Sequence, residues 1–111
     1  PRIVGLPTAL MMVESGRTFG AEECKALGLV DELVPAGESF AAAFEYARTL
    51  ASRASVAVCM ARRMVLMGQT ATLEQILDYE GIAGVIVAST LDAKEGTQSF
   101  LERRKPAYRG I

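Results

Sequence analysis

The sequence predicts a mostly helical protein, with five to six short helices and one brief extended segment. Three observations carry this expectation. Apolar residues recur at three- and four-residue spacing along several stretches. Helix-starting and helix-stopping residues bracket those stretches. The 111 residues are 50% apolar and 23% charged, a balance that gives one small soluble domain with a core.

The elements follow in order. Pro7 suits a first helical position, where its missing N–H has no partner to lose. Leu10, Met11 and Val13 follow, and Gly16 ends that helix. Gly20 serves as the N-cap of a second helix. Glu22 and Glu23 lie at its positive end, and Gly28 suits the left-handed position after it. Residues 29–34 form the brief extended segment, closed by Pro35 and Gly37.

Residues 39–53 carry the clearest helical pattern, with Phe40, Ala43, Phe44, Ala47, Leu50 and Ala51 on one face. Ser55 is expected to cap the next helix. Its stripe is Val56, Cys59, Met60, Met64 and Met67, and Gly68 stops it. Core packing explains that stripe better than an adaptable groove does. Thr72 and Gln75 make a capping box ahead of Leu73, Ile76 and Leu77.

Beyond Leu77 the local signals conflict. Gly81 and Gly84 each disfavour helix by about 1 kcal/mol relative to Ala. Val85-Ile86-Val87 is β-branched, so the pattern fits a buried strand as well as a helix. Asp92 and Glu95 resemble another box-like start, and Pro106 forces an end. No internal repeat or domain linker appears.

Composition narrows the chemistry. Net charge is −1, so no overall field draws the chain to nucleic acid or an anionic membrane. The longest apolar run, residues 81–88, is far short of the roughly 20 residues that span a bilayer. There is no histidine, which removes Ser–His, Cys–His and His–metal sets within the chain. No phosphate-cradling glycine loop is present. Glu22–Glu23 and Asp31–Glu32 fit solvated structural roles. No catalytic or metal-ligating residue is therefore assigned. Cys24 and Cys59 read as buried reduced thiols, with a disulfide or a reactive thiol as the lesser alternative, in keeping with a cytoplasmic, reducing compartment. The chain begins at Pro1, without Met or a signal-like region, which reads as a fragment or processed product.

One local charge feature stands out. Arg103, Arg104, Lys105 and Arg109 supply four of the twelve basic residues within the last nine positions. Cations near a helix C-terminus are favoured by the dipole, so a solvated tail is one reading. Anion binding is the other, since Arg offers a planar fork to phosphate and stacks on rings.

Three blocks together resemble the crotonase (enoyl-CoA hydratase/isomerase) family. Arg2-Ile3-Val4-Gly5 resembles the end of its Arg-Leu-x-x-Leu-Val-Gly helix. Residues 15–35, from Ser15-Gly16-Arg17 through Gly28-Leu29-Val30-Asp31 to Pro35, are similar to its Thr-Gly-Arg…Gly-Leu-Val-Asp…Pro block. Asp92-Ala93-Lys94-Glu95-Gly96 and Ser99-Phe100-Leu101-Glu102-Arg103-Arg104-Lys105-Pro106 resemble its closing motif. The likeness spans nearly the whole chain and is specific to the superfamily, not to one reaction.

The resemblance implies a parent with the α/β crotonase-like spiral fold. Residues 1–111 would be its C-terminal helical region, serving oligomerisation and covering coenzyme A. It implies that residues 72–89 form one helix, with 81–88 buried against neighbours. It implies an acyl-CoA substrate, no resident cofactor and a homotrimer or hexamer. By the same resemblance, Phe100 and Arg103 contact the adenine and phosphate part of coenzyme A, while the oxyanion hole and acid–base groups lie outside this chain. The chain alone is then inactive. Gly84 stands where some members carry a bulky pocket-lining residue, consistent with a roomier acyl pocket or closer helix packing. Alternatives are a non-catalytic helical interaction module and a parent running another reaction of the superfamily, such as decarboxylation, thioester hydrolysis or ring closure.

Overall fold

The computed structural model describes residues 1–111. It contains six helices: α1 (Leu6–Ser15), α2 (Ala21–Ala26), α3 (Ser39–Ala51), α4 (Ser55–Met67), α5 (Leu73–Ala88) and α6 (Leu91–Leu101). The expected extended segment at 29–34 is present as loop and pairs with no strand. No helix is long and apolar enough to cross a membrane. The chain divides into two compact units, Pro1–Ala42 and Ala43–Ile111.

In the first unit, helix α1 begins at Leu6, which moves Pro7 from the expected first position to the second. The ring is tolerated there because the first four N–H groups of a helix have no internal partner. Gly16 ends α1 in the left-handed conformation, φ 57°. Gly20 is the N-cap of α2, in extended geometry and without a side-chain bond. Arg17 secures this start instead. Its Nη1 donates to Glu23 Oε2 at 2.9 Å, its Nη2 pairs with Oε1, and its guanidinium lies 3.9 Å from the Phe19 ring centre. The pairing holds the Glu23 carboxyl below its ordinary range. Helix α2 closes in a Schellman motif. The Leu29 N–H bonds the Cys24 carbonyl at 2.8 Å and the Gly28 N–H bonds the Lys25 carbonyl at 3.0 Å.

Helix α3 stops at Ala51, two residues before the expected end. The Ser52 hydroxyl turns back to the Thr49 carbonyl at 2.7 Å, and the Arg53 N–H bonds Leu50 at 3.0 Å, tightening the last turn. Ser55 does not cap α4 as expected. Ala54 holds the N-cap position with no side-chain bond, and Ser55 is the first helical residue.

Within the second unit, α4 packs on α5. The Tyr79 hydroxyl meets the Met60 sulfur at 3.5 Å, and Arg63 lies over the Tyr79 ring at 5.5 Å. The capping box of α5 is present as expected: the Gln75 N–H donates to Thr72 Oγ1 at 3.3 Å and the Thr72 N–H to Gln75 Oε1 at 3.0 Å. The helix runs on through Gly81 and Gly84 to Ala88, so the ambiguous stretch is helical.

Burial departs from expectation. Ala83 is the one buried apolar residue of the chain, while Ile82, Val85 and Ile86 are exposed. Met60, Met64 and Met67 are half-buried, and the first two line an open apolar groove of about 430 Å³ between α4 and α5. The thiols are not buried: Cys24 is half-exposed and Cys59 exposed. A side chain on Gly84 would meet nothing within 4 Å, so closer packing within this chain does not explain that glycine.

Candidate coenzyme-facing end of the last helix

Helix α6 starts differently from expectation. Thr90 is its N-cap, with Oγ1 accepting the Ala93 N–H at 3.1 Å. That leaves Asp92 and Glu95 free of any capping duty. They lie three residues apart, on one face of the helix, and both accept backbone N–H groups from the tail after Pro106. The Ala107 N–H donates to Glu95 Oε1 at 2.8 Å. The N–H groups of Arg109 and Gly110 donate to Asp92 Oδ1 at 2.7 Å and Oδ2 at 2.8 Å. The Asp92 N–H in turn donates to the Ile111 carbonyl at 3.1 Å. Asp92 is buried, and these bonds satisfy both of its oxygens.

Two glycines allow this close approach. A Cβ on Gly96 would sit 3.3 Å from the Tyr108 hydroxyl. A Cβ on Gly110, at φ +78°, would sit 2.8 Å from Ser55 Oγ. The tail therefore runs back along α6 and ends against the first residue of α4. A shallow cleft of about 440 Å³ lies beside it, bordered by Leu91, Lys94, Gln98 and Arg109 together with the two carboxylates.

Arg104 ties the turn between helix and tail. Its Nη1 and Nη2 reach Glu95 at 2.5 and 2.9 Å, and its Nε reaches Glu102 at 2.5 Å. Hydrogen bonding from Arg104, and secondly from the Ala107 N–H, pulls the Glu95 carboxyl down to about 2. Gln98 first and Arg104 second lower Glu102.

The helix ends in a second Schellman motif. The Arg104 N–H bonds the Ser99 carbonyl at 3.0 Å and the Arg103 N–H bonds Phe100 at 3.2 Å. The left-handed position that usually holds glycine is occupied by Arg103, φ 54°, the chain's one non-glycine residue with positive φ. That conformation costs an L-residue about 1–2 kcal/mol. Next to it Phe100 is 82% exposed. The Arg103 side chain is exposed and makes no hydrogen bond or ion pair, unlike neighbouring Arg104.

The two residues expected to bind coenzyme A thus lie together at one helix end, with their backbone fixed and their side chains in solvent. Sequence reasoning did not assign Asp92, Glu95, Arg104 or Tyr108 to this region. The Asp-x-x-Glu-Gly spacing was visible, but its resemblance to a capping box concealed its role. No group of three or more His, Cys, Asp or Glu side chains gathers as a metal site.

This architecture is that of the crotonase fold. The chain superimposes on an enoyl-CoA hydratase from Bacillus anthracis with a TM-score of 0.90 and 35% identity, covering 100% of this chain and 43% of that one. An enoyl-CoA hydratase from Mycobacterium tuberculosis matches with a TM-score of 0.90 and 27% identity, over 100% of this chain and 44% of that one. By sequence, the chain is 33% identical to the (E)-benzylidenesuccinyl-CoA hydratase of Thauera aromatica, across 99% of this chain and 43% of the relative. It is 29% identical to the 2,3-dehydroadipyl-CoA hydratase of Escherichia coli, across 98% and 43%. The enoyl-CoA hydratase/isomerase family model matches residues 1–110, and the chain belongs to that family. It spans less than half the length of these relatives.

Proposed function

We propose that this chain forms the helical, coenzyme-facing part of an enzyme that hydrates or isomerises enoyl-CoA thioesters. The single observation that carries the proposal is Arg103. It holds an unfavourable left-handed backbone, its guanidinium is unengaged, and an exposed aromatic lies beside it. An Arg fork and a ring together suit a phosphorylated adenine nucleotide. Strain of this kind persists where the surrounding structure enforces it, often at ligand sites.

In this reading Phe100 and Arg103 hold the nucleotide end of coenzyme A, acyl-CoA is the substrate and no resident cofactor takes part. Residues outside the chain supply the reaction, so 1–111 alone is inactive. Position in the C-terminal part of a cytoplasmic parent rests on motif order and cysteine usage alone. The parent's coding sequence tests the position: a match to the N-terminal part of relatives overturns it. The many exposed apolar side chains favour assembly into a trimer or hexamer. They equally favour the second reading, a non-catalytic module with the same assembly surface. Kinetics separate the two. Arg103→Ala in the parent should raise the KM for crotonyl-CoA, and an unchanged KM refutes the coenzyme assignment.

A further inference from the structure

Asp92 is one of two buried polar residues in the chain, and no chemistry assigned so far uses it. Both its oxygens are spent on the backbone of the tail. Glu95, one turn later, accepts from the same tail and pairs with Arg104. The turn that carries Arg103 is consequently held from two sides. On one side the Schellman bonds fix the helix end. On the other, three backbone N–H groups are anchored to two carboxylates, and Arg104 is tied to Glu95 and Glu102.

We propose that Asp92 and Glu95 are positioning residues for Arg103: they clamp the tail against α6 and so fix the backbone from which its guanidinium reaches a nucleotide phosphate. This rests on the coenzyme reading above. A polar anchor of two carboxylates suits the task better than apolar packing. Backbone N–H···carboxylate bonds are charge-assisted and directional, and the tail has no apolar core beneath it. The gain for binding is preorganisation: with the backbone at Arg103 already ordered, only side-chain freedom is lost when the ligand arrives. Arg104 serves the clamp and is not itself available to the ligand, which leaves Arg103 as the cation presented.

The test uses the full parent enzyme with two substrates, crotonyl-CoA and crotonyl-pantetheine, the second lacking the nucleotide. The variants are Arg103→Ala, Asp92→Asn and Glu95→Gln. Asn places an NH2 against one tail N–H. Gln at the half-buried position 95 keeps an acceptor for Ala107 but loses the ion pair. Losing one charge-assisted bond should raise KM for crotonyl-CoA about tenfold. Asp92→Asn and Glu95→Gln should leave kcat and the KM for crotonyl-pantetheine unchanged, and should speed amide exchange at Ala107, Arg109 and Gly110. If Arg103→Ala raises KM and the two carboxylate variants do not, the positioning role is overturned while the coenzyme reading stands. If the carboxylate variants impair both substrates alike, their role is general folding and the proposal also falls. A wild-type KM in Arg103→Ala overturns the coenzyme reading itself.

Discussion

The exposed apolar surface makes a quantitative demand on how this chain behaves alone. The chain exposes 8831 Å², whereas a compact monomer of 11.9 kDa exposes about 5,900 Å². The excess, about 2,900 Å² on one chain, is more than the roughly 1,000–2,500 Å² per partner that obligate subunit interfaces commonly bury. Much of it is apolar: Val13, Val65, Leu73, Ile82 and Val85 are all at least 60% exposed. Purified 1–111 should therefore self-associate at micromolar concentration in sedimentation equilibrium. Val85 offers a direct perturbation, being 73% exposed on α5. Burying a valine contributes about 1.5–3 kcal/mol. Val85→Lys, which replaces that gain with a charge, should weaken association about tenfold or more. A monodisperse monomer at high concentration, or association indifferent to Val85→Lys, refutes the argument from exposed area.

Three further outcomes follow from the local geometry. Arg103→Gly removes the left-handed penalty of about 1 kcal/mol, so exchange at the Arg104 amide should slow about fivefold while acyl-CoA binding weakens; faster exchange would show the Arg side chain stabilises the turn. Thr72→Ala deletes the capping box and should cost α5 about 1 kcal/mol, read as faster exchange at the Gln75 amide. The folded Glu95 pKa, about 2, lies below its unfolded value, so its contribution is present above about pH 4.3 and is lost as pH falls toward 2. Protection of the Ala107 amide should fall in that window, and a loss centred above pH 5 would assign the tail contact to another group.

Much of the helical framework was legible because it is locally encoded. Gly16, Gly28 and the Thr72–Gln75 box each act within a turn of their own position, and each does in the structure what its residue type requires. The conflict over residues 81–88 was resolved by likeness to the family, since two glycines and a β-branched triplet oppose each other locally. What was not legible is long-range. Asp92 bonds residues seventeen and eighteen positions away, and no helical period reports a partner beyond the helix. Thr90 and Asp92 offer equally good cap patterns two residues apart, and residue type alone does not choose between them. Burial failed for a related reason. Periodicity identifies the apolar face of a helix, but not whether this chain supplies the surface that covers it. The faces of α4 and α5 are amphipathic and still largely open. At the end of α6, Phe100 and Arg103 are singled out by motif resemblance, whereas the bonds of Asp92 and Glu95 to the tail are visible only in the folded chain.

The central claim is a division of labour, with coenzyme contact and assembly in this chain and the chemistry elsewhere in its parent. The most direct measurement is crotonyl-CoA hydration, followed side by side for purified 1–111 and for the full parent enzyme. The account predicts turnover by the parent and none by 1–111 at any concentration. Turnover by 1–111 alone would contradict it.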